Sequence, residues 1–318
     1  MVAHDVLTYL SAIAADFPDI NIKINKYNYS DIDTQEYNPN YKLEYREGQR
    51  PTVNCDDPMY DENPYYDDFI KYHRPVNNTV SSLEVLALYS VEPDWGMDLN
   101  LHLSPLQNLM GGSTGYRHMR YVLFYMLRAG LTKKQFYYFN SIAEEAFKRG
   151  DPYWGIRFSA RAIHYLEDFL TPVHSKPFTE FFLIKNLFKP AVIYNKGFNY
   201  HMNFEKLTGY HIWHGEQTLI DAIKSSPVRN IKNIKNLLNT SQYKIRMLFY
   251  PIFKEMERLW GNKMAAPRYS IKIEEIKNNT RYKKIFELSA RWLYYSSSII
   301  KGYIKNILVP RFNKYILK

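Results

Sequence analysis

Residues 153–175 read YWGIRFSARAIHYLEDFLTPVHS, and this stretch decides the fold. Apolar residues recur at intervals of three and four through residue 170, the period of an α-helix. On such a helix His164 and Asp168 stand one turn apart on the same face, so both side chains reach the same point. Ile163, Leu166, Phe169 and Leu170 flank them, which predicts that the pair is buried. A buried carboxylate needs a partner, and a metal ion is one of the few adequate ones. Thr171 and Pro172 end the helix, because proline lacks an amide donor and restricts the residue before it. His174 is then expected in the exit loop, turned back toward the same cavity. Further along, His201 and Glu205 in HMNFE repeat the i, i+4 spacing. One such pair alone is most often a surface pair; two pairs and a spaced third histidine point to metal. Imidazole nitrogen and carboxylate oxygen are ligands that zinc takes readily, and a catalytic zinc keeps a position open for water.

Outward from this stretch the same period recurs over residues 116–130, 134–149, 215–225, 241–262 and 281–307, while convincing alternating strands are few. The chain of 318 residues, 46% hydrophobic, is therefore expected to be all-α, a single mostly helical domain. Residues 21–81 break the pattern. They are rich in Tyr, Asn, Asp and Pro, and read as an irregular insertion or a cap over the site. Within them, residues 55–68, CDDPMYDENPYYDD, lack the ligand spacing and glycine of an EF-hand loop and read as a solvated acidic loop. Cys55 is the single cysteine, which excludes an intramolecular disulfide.

Charge is uneven. Residues 221–318 carry 21 Lys/Arg and 6 Asp/Glu, a net of +15, leaving −5 on the other 220 residues. Such a basic region could dock on anionic lipid or on nucleic acid phosphates, or simply be a solvated face. The last forty residues, with Trp292, Tyr294, Tyr295, Ile299, Ile300, Ile304 and Leu308 among lysines, read either as an interfacial helix or as a docked core helix. No stretch reaches the ~20 apolar residues that span a bilayer. The start has no basic n-region, and VLTYLSAIAA reads as a first helix rather than a signal core, so localisation stays open.

The run AIHYLEDFLTPVHS is similar to ALHYLGD…QPMHA, typical of the bacterial zinc-dependent phospholipases C and of their relatives the fungal zinc-dependent single-strand nucleases. The resemblance puts His164, Asp168 and His174 on three metal ligands. HMNFE resembles the family's later His-x-x-x-acid pair, which implies His201 and Glu205; the acid is usually Glu in the phospholipases and Asp in the nucleases. IWHGEQ, with Trp213 and His214, resembles a downstream tryptophan-histidine-glycine segment. Upstream, the family expects an Asp in an acidic-aromatic segment and a His opening a helix. SVEPDWGMD offers Asp94, with Asp98 as a substitute, and TGYRHMRYVLFYM offers His118, 24 residues after Asp94. The glycine-rich stretch from Gly111 to Gly115 absorbs that length. The family also uses its terminal amine and a nearby His, for which this chain presents Met1 and His4, without the usual Trp. Otherwise His4 merely begins an amphipathic helix.

What the resemblance implies is a helical fold holding two or three zinc ions. Asp94, His118, His164 and Asp168 would hold one; Asp168 would bridge to another near His4; His174, His201 and Glu205 would hold the phosphate-binding ion. Asp94 and Asp168 would be the catalytic carboxylates, supporting attack of hydroxide on phosphorus. Arg117 and Arg120 flank His118 as candidate phosphate clamps, although surface arginine is the simpler reading. Glu205 favours a phospholipase C acting on phospholipid headgroups. A single-strand nuclease, or a non-catalytic zinc-stabilised protein that binds membranes, are the alternatives.

Overall fold

Pro152–Phe169 forms the helix expected from the sequence, and in the computed structural model it runs through the middle of the protein. The structure describes residues 3–43, 75–108, 111–123, 127–277 and 279–316. In chain order it comprises α1 (His4–Ala14), β1 (Asn21–Lys23), β2 (Thr79–Ser81), α2 (Ser82–Tyr89), a 3-10 turn (Glu92–Asp94), α3 (Pro105–Asn108), α4 (Gly112–His118), β3 (Tyr121–Leu123) and β4 (Leu127–Ala129). There follow α5 (Thr132–Lys148), α6 (Pro152–Phe169), α7 (Pro172–Ser175), α8 (Glu180–Lys185), α9 (Pro190–Trp213), α10 (Gln217–Ser225), α11 (Ile234–Trp260), α12 (Ile273–Ile276), α13 (Asn279–Tyr303) and α14 (Val309–Tyr315). Of the described residues, 67% are helical and 4% are in strands, so the fold is all-α. Met1, Cys55 and the acidic run 55–68 lie outside the described residues.

Asp151 starts α6 by accepting a hydrogen bond from the Trp154 amide at 3.1 Å, and Pro152 follows at the first helical position, where its missing N–H is not needed. Every residue from Tyr153 to Phe169 is buried, so α6 is covered on all sides. Its tightest neighbour is the antiparallel α5. A Cβ on Gly155 would sit 2.5 Å from the Phe147 ring of α5, so only glycine lets the two helices approach this closely. The described part of the 21–81 insertion lies across the first half of α6. Trp154 Nε1 donates to the Asn25 carbonyl at 2.9 Å, and the Tyr29 hydroxyl to Asp151 at 3.0 Å.

The reading of residues 116–130 as one helix is corrected. The helix ends at His118, and an antiparallel hairpin follows with Val122 opposite Arg128. Gly130, at φ +97°, lets the chain leave β4 across the Met119 carbonyl, where a Cβ would collide. Conversely, α9 is a 24-residue helix over a segment whose period the sequence did not mark beyond its i, i+4 pair.

Most of the C-terminal apolar residues are core, Tyr294 being exposed. Trp292, Ile299, Ile300, Ile304 and Leu308 are buried, which settles that end as a docked helix rather than an interfacial one. Trp292 Nε1 donates to the Leu170 carbonyl at 2.8 Å, tying α13 to the end of α6. Even part of the basic excess is used internally: the buried Lys301 ammonium donates to the carbonyls of Ile223 and Ser226, both at 2.7 Å, where α10 ends. Among the described residues, no helix is long and apolar enough to cross a membrane.

Candidate metal centre

Arg157, Arg161, His164 and Asp168 follow one another at i, i+4, i+7 and i+11, a single stripe down α6. All four are buried. The second half of that stripe is the centre of a donor cluster built from six pieces of chain. Three groups of side chains bring possible ligand atoms within 4.8 Å of one another: His4, His164 and Asp168; Asp94, His118 and His164; and His174, His201 and Glu205. Eight of the residues singled out in the sequence thus converge, and His164 belongs to two groups.

Asp168 is the hub. One oxygen, Oδ2, lies 2.8 Å from His118 Nδ1 and 3.2 Å from His164 Nε2. The other, Oδ1, lies 3.6 Å from both His4 Nε2 and His174 Nδ1. Asp94 completes the arrangement at 3.5 Å from His118 and 3.7 Å from His4 and His164. Glu205 approaches His174 Nε2 at 2.5 Å and His201 Nε2 at 3.3 Å.

The histidines are aimed by bonds through their other nitrogens, which is how ligating imidazoles are usually oriented. His164 Nδ1 lies 2.7 Å from the Ser90 carbonyl, so it donates there and Nε2 faces the cluster. His4, the first residue of α1, places Nδ1 2.5 Å from Glu167, whose other oxygen accepts from the Thr8 hydroxyl at 2.9 Å. His118 sits at the end of α4, not at the opening of a long helix. Its Nε2 faces Asp98 at 3.3 Å, and Asp98 is anchored by Arg117 and the Tyr165 hydroxyl, each at 2.5 Å. Asp98 therefore does not replace Asp94; it sits behind His118. Arg117, taken from sequence as a surface residue, is buried in that ion pair. The short turn α7 that carries His174 is pinned to the end of α4: His174 Nδ1 donates to the His118 carbonyl at 2.6 Å, and the Arg120 amide to the His174 carbonyl at 2.8 Å.

The electrostatics follow from burying three carboxylates among histidines. Burial alone would raise Asp168, but His174 and His164 hold its carboxyl well below the usual range. Burial likewise opposes charge on His118, yet Asp168 and Asp98 push it up to about 10. His174 rises for the same reason, against burial and beside Asp168 and Glu205. His4 goes the other way, lowered by burial and by His164. Protons on His118 and His174 thus supply positive charge that the carboxylates demand, and a divalent cation would displace such protons on binding. The fit to a metal ion rests on His4: its Nε2 is buried with no hydrogen-bond partner, 3.6 and 3.7 Å from two carboxylate oxygens. When Nδ1 carries the ring proton and donates to Glu167, Nε2 offers its lone pair as a ligand position.

The cluster is not wholly sealed: the side chains of Asp94, His201 and Glu205 are 19%, 17% and 11% exposed. Burial and the charge of Glu205 raise the phenol of Tyr121 in β3, which keeps it a hydroxyl. Sequence reasoning missed Tyr121 and Glu167. Trp213 and His214 fall outside the groups: Trp213 Nε1 donates to Asp5 at 3.3 Å, and His214 stacks on Tyr210 at 3.8 Å. A scan against protein-family models and a search of curated proteins find no match for this chain.

Proposed function

We propose that this protein is a zinc-dependent phosphodiester hydrolase, similar to the zinc-dependent phospholipases C, that cleaves phospholipid headgroups. The observation that carries the proposal is Asp168, a buried carboxylate with two histidines on each oxygen and two further donor sets against it. A structural metal site is closed whereas a catalytic one leaves a position for water, and the partial exposure of Asp94, His201 and Glu205 favours the second. His4, Asp94, His118, His164 and Asp168 would hold ions on the inner side, and His174, His201 and Glu205 another at the rim. Bound zinc would supply Lewis acidity, lowering the pKa of water toward ~7 and offsetting charge on the phosphoryl oxygens.

The chain's own residues do the rest. Asp94, the most exposed carboxylate of the cluster, is placed to orient an attacking water and accept its proton. Glu167 and Asp98 hold His4 and His118 in the tautomers that aim them inward.

The test is hydrolysis by the purified protein. Chelator-sensitive release of phosphocholine from phosphatidylcholine, exceeding cleavage of single-stranded RNA or DNA, is expected. The reverse preference would make the protein a nuclease, and metal binding without either activity would make the cluster structural.

A further inference from the structure

Residues 181–189, FFLIKNLFK, place α8 and the link to α9 at the surface with an unusual distribution of side chains. Phe182 points inward, against Phe178 and Phe253 at ring distances of 5.8 and 5.9 Å, and fixes α8 to the body. Phe181, Ile184, Leu187 and Phe188 point out, Phe188 with 94% of its surface exposed. Tyr194, Phe198 and Met202 extend this apolar surface along α9, with the Tyr194 and Phe198 rings stacked at 6.5 Å. Contiguous apolar surface of this kind is uncommon on soluble monomers and marks an interaction site.

Two further observations identify the occupant. First, residues 181–204 contain no Asp or Glu, while Lys185 and Lys189 are exposed beside the apolar side chains. An apolar surface rimmed by lysine suits an anionic bilayer, where acyl chains take the phenyl rings and headgroups take the ammonium groups. A two-fold contact with a second copy would instead bring Lys185 and Lys189 toward their own equivalents. Second, Tyr194, Phe198, His201 and Glu205 lie at i, i+4, i+7 and i+11, one face of α9. The exposed aromatics and the His201–Glu205 part of the donor cluster therefore share a helix face.

We propose that α8 and the first half of α9 dock the protein on an anionic phospholipid surface and turn the donor cluster toward the headgroups. The docking stands on the surface itself; the delivery of phosphodiesters to the cluster rests on the hydrolase reading above. The C-terminal basic region lacks the apolar half of this pattern, because its large apolar side chains are mostly buried.

The experiment is co-sedimentation of the full chain with phosphatidylcholine–phosphatidylserine vesicles. It compares the wild type, the double variant Ile184→Asp/Phe188→Asp, and Lys283→Glu/Arg291→Glu on α13 as a control. Both apolar positions are exposed, so the fold does not depend on them. The first variant is expected to lose binding by more than about tenfold, with metal content and hydrolysis of bis(p-nitrophenyl) phosphate unchanged, while the control stays within about twofold. Wild-type protein that does not sediment, or a double variant that binds as the wild type does, overturns the proposal. So does a wild-type dimer that the double variant dissolves without any vesicle binding, which would assign the face to a second copy. Vesicle binding by a protein that cleaves no phosphodiester supports the docking and overturns the hydrolase reading.

Discussion

The two halves of the stripe on α6 solve the burial of negative charge in different ways. In the first half, Arg157 and Arg161 grip both oxygens of Glu92, with Arg157 Nε at 3.0 and 3.2 Å and Arg161 Nε at 2.6 Å. Burial would raise Glu92, but the two guanidiniums outweigh it and hold the carboxyl at about 2. That carboxylate is neutralised by fixed cations and leaves nothing for an ion to do. In the second half, among the described residues, the ion-pair partners of Asp94, Asp168 and Glu205 are histidines. Imidazole is neutral unless protonated and keeps a lone pair for a metal. Two turns of one helix thus separate a structural charge network from a candidate metal centre, and the choice of arginine or histidine makes the difference.

That contrast can be broken by single substitutions. Asp168→Asn removes the hub, and we expect loss of turnover on the order of 1,000-fold together with loss of bound metal, measured by phosphodiester hydrolysis and elemental analysis. Near-normal turnover in that variant would refute the proposed role of Asp168. Arg157→Met leaves Glu92 half-paired and is expected to destabilise the fold by about 3–5 kcal/mol in denaturant titration. Chelator should still lower its melting temperature by as much as it lowers that of the wild type; a smaller shift would show that the two halves are not independent. Glu167→Gln removes the carboxylate behind His4, and about a 10–100-fold weakening of metal affinity is expected by competition with a chromophoric chelator.

The smallest effect concerns a histidine outside the cluster. His211 donates to the Ile276 carbonyl at 2.9 Å; burial drives its value down to about 4, with the nearby His214 lowering it and Glu216 opposing. Because the folded value lies below the unfolded one of about 6.5, the unfolded chain binds more protons between these limits. Stability from His211 is therefore complete above about pH 6.5 and lost as pH falls toward 4, by about 3 kcal/mol. A His211→Gln variant should show a flatter fall over that window, and an unchanged slope would count against the shift.

Much of this was legible in the sequence because helical period and ligand spacing coincide. His164 and Asp168 are one turn apart on a strongly periodic helix, and His201 and Glu205 repeat the pattern, so local spacing alone paired them. The hairpin at Tyr121–Ala129 was not legible: a short apolar run fits a strand or a helix equally, and the glycines around it, not its period, decide. Nothing in the sequence around Glu167 sets it apart from other helix acids. Its role appears only when α1 closes over α6, a contact between residues 163 positions apart. The same holds for Asp98, a substitute ligand by sequence, which Arg117 and Tyr165 hold behind His118. Local spacing points to the candidate ligands; long-range packing shows which residues orient them.

The most direct measurement is the zinc content of purified, dialysed protein. Three donor groups around Asp168 predict about two to three zinc ions per chain, lost on chelation and absent from Asp168→Asn. Fewer than about one ion per chain in correctly folded protein, after incubation with excess zinc, would contradict the central claim that this buried cluster is a metal centre.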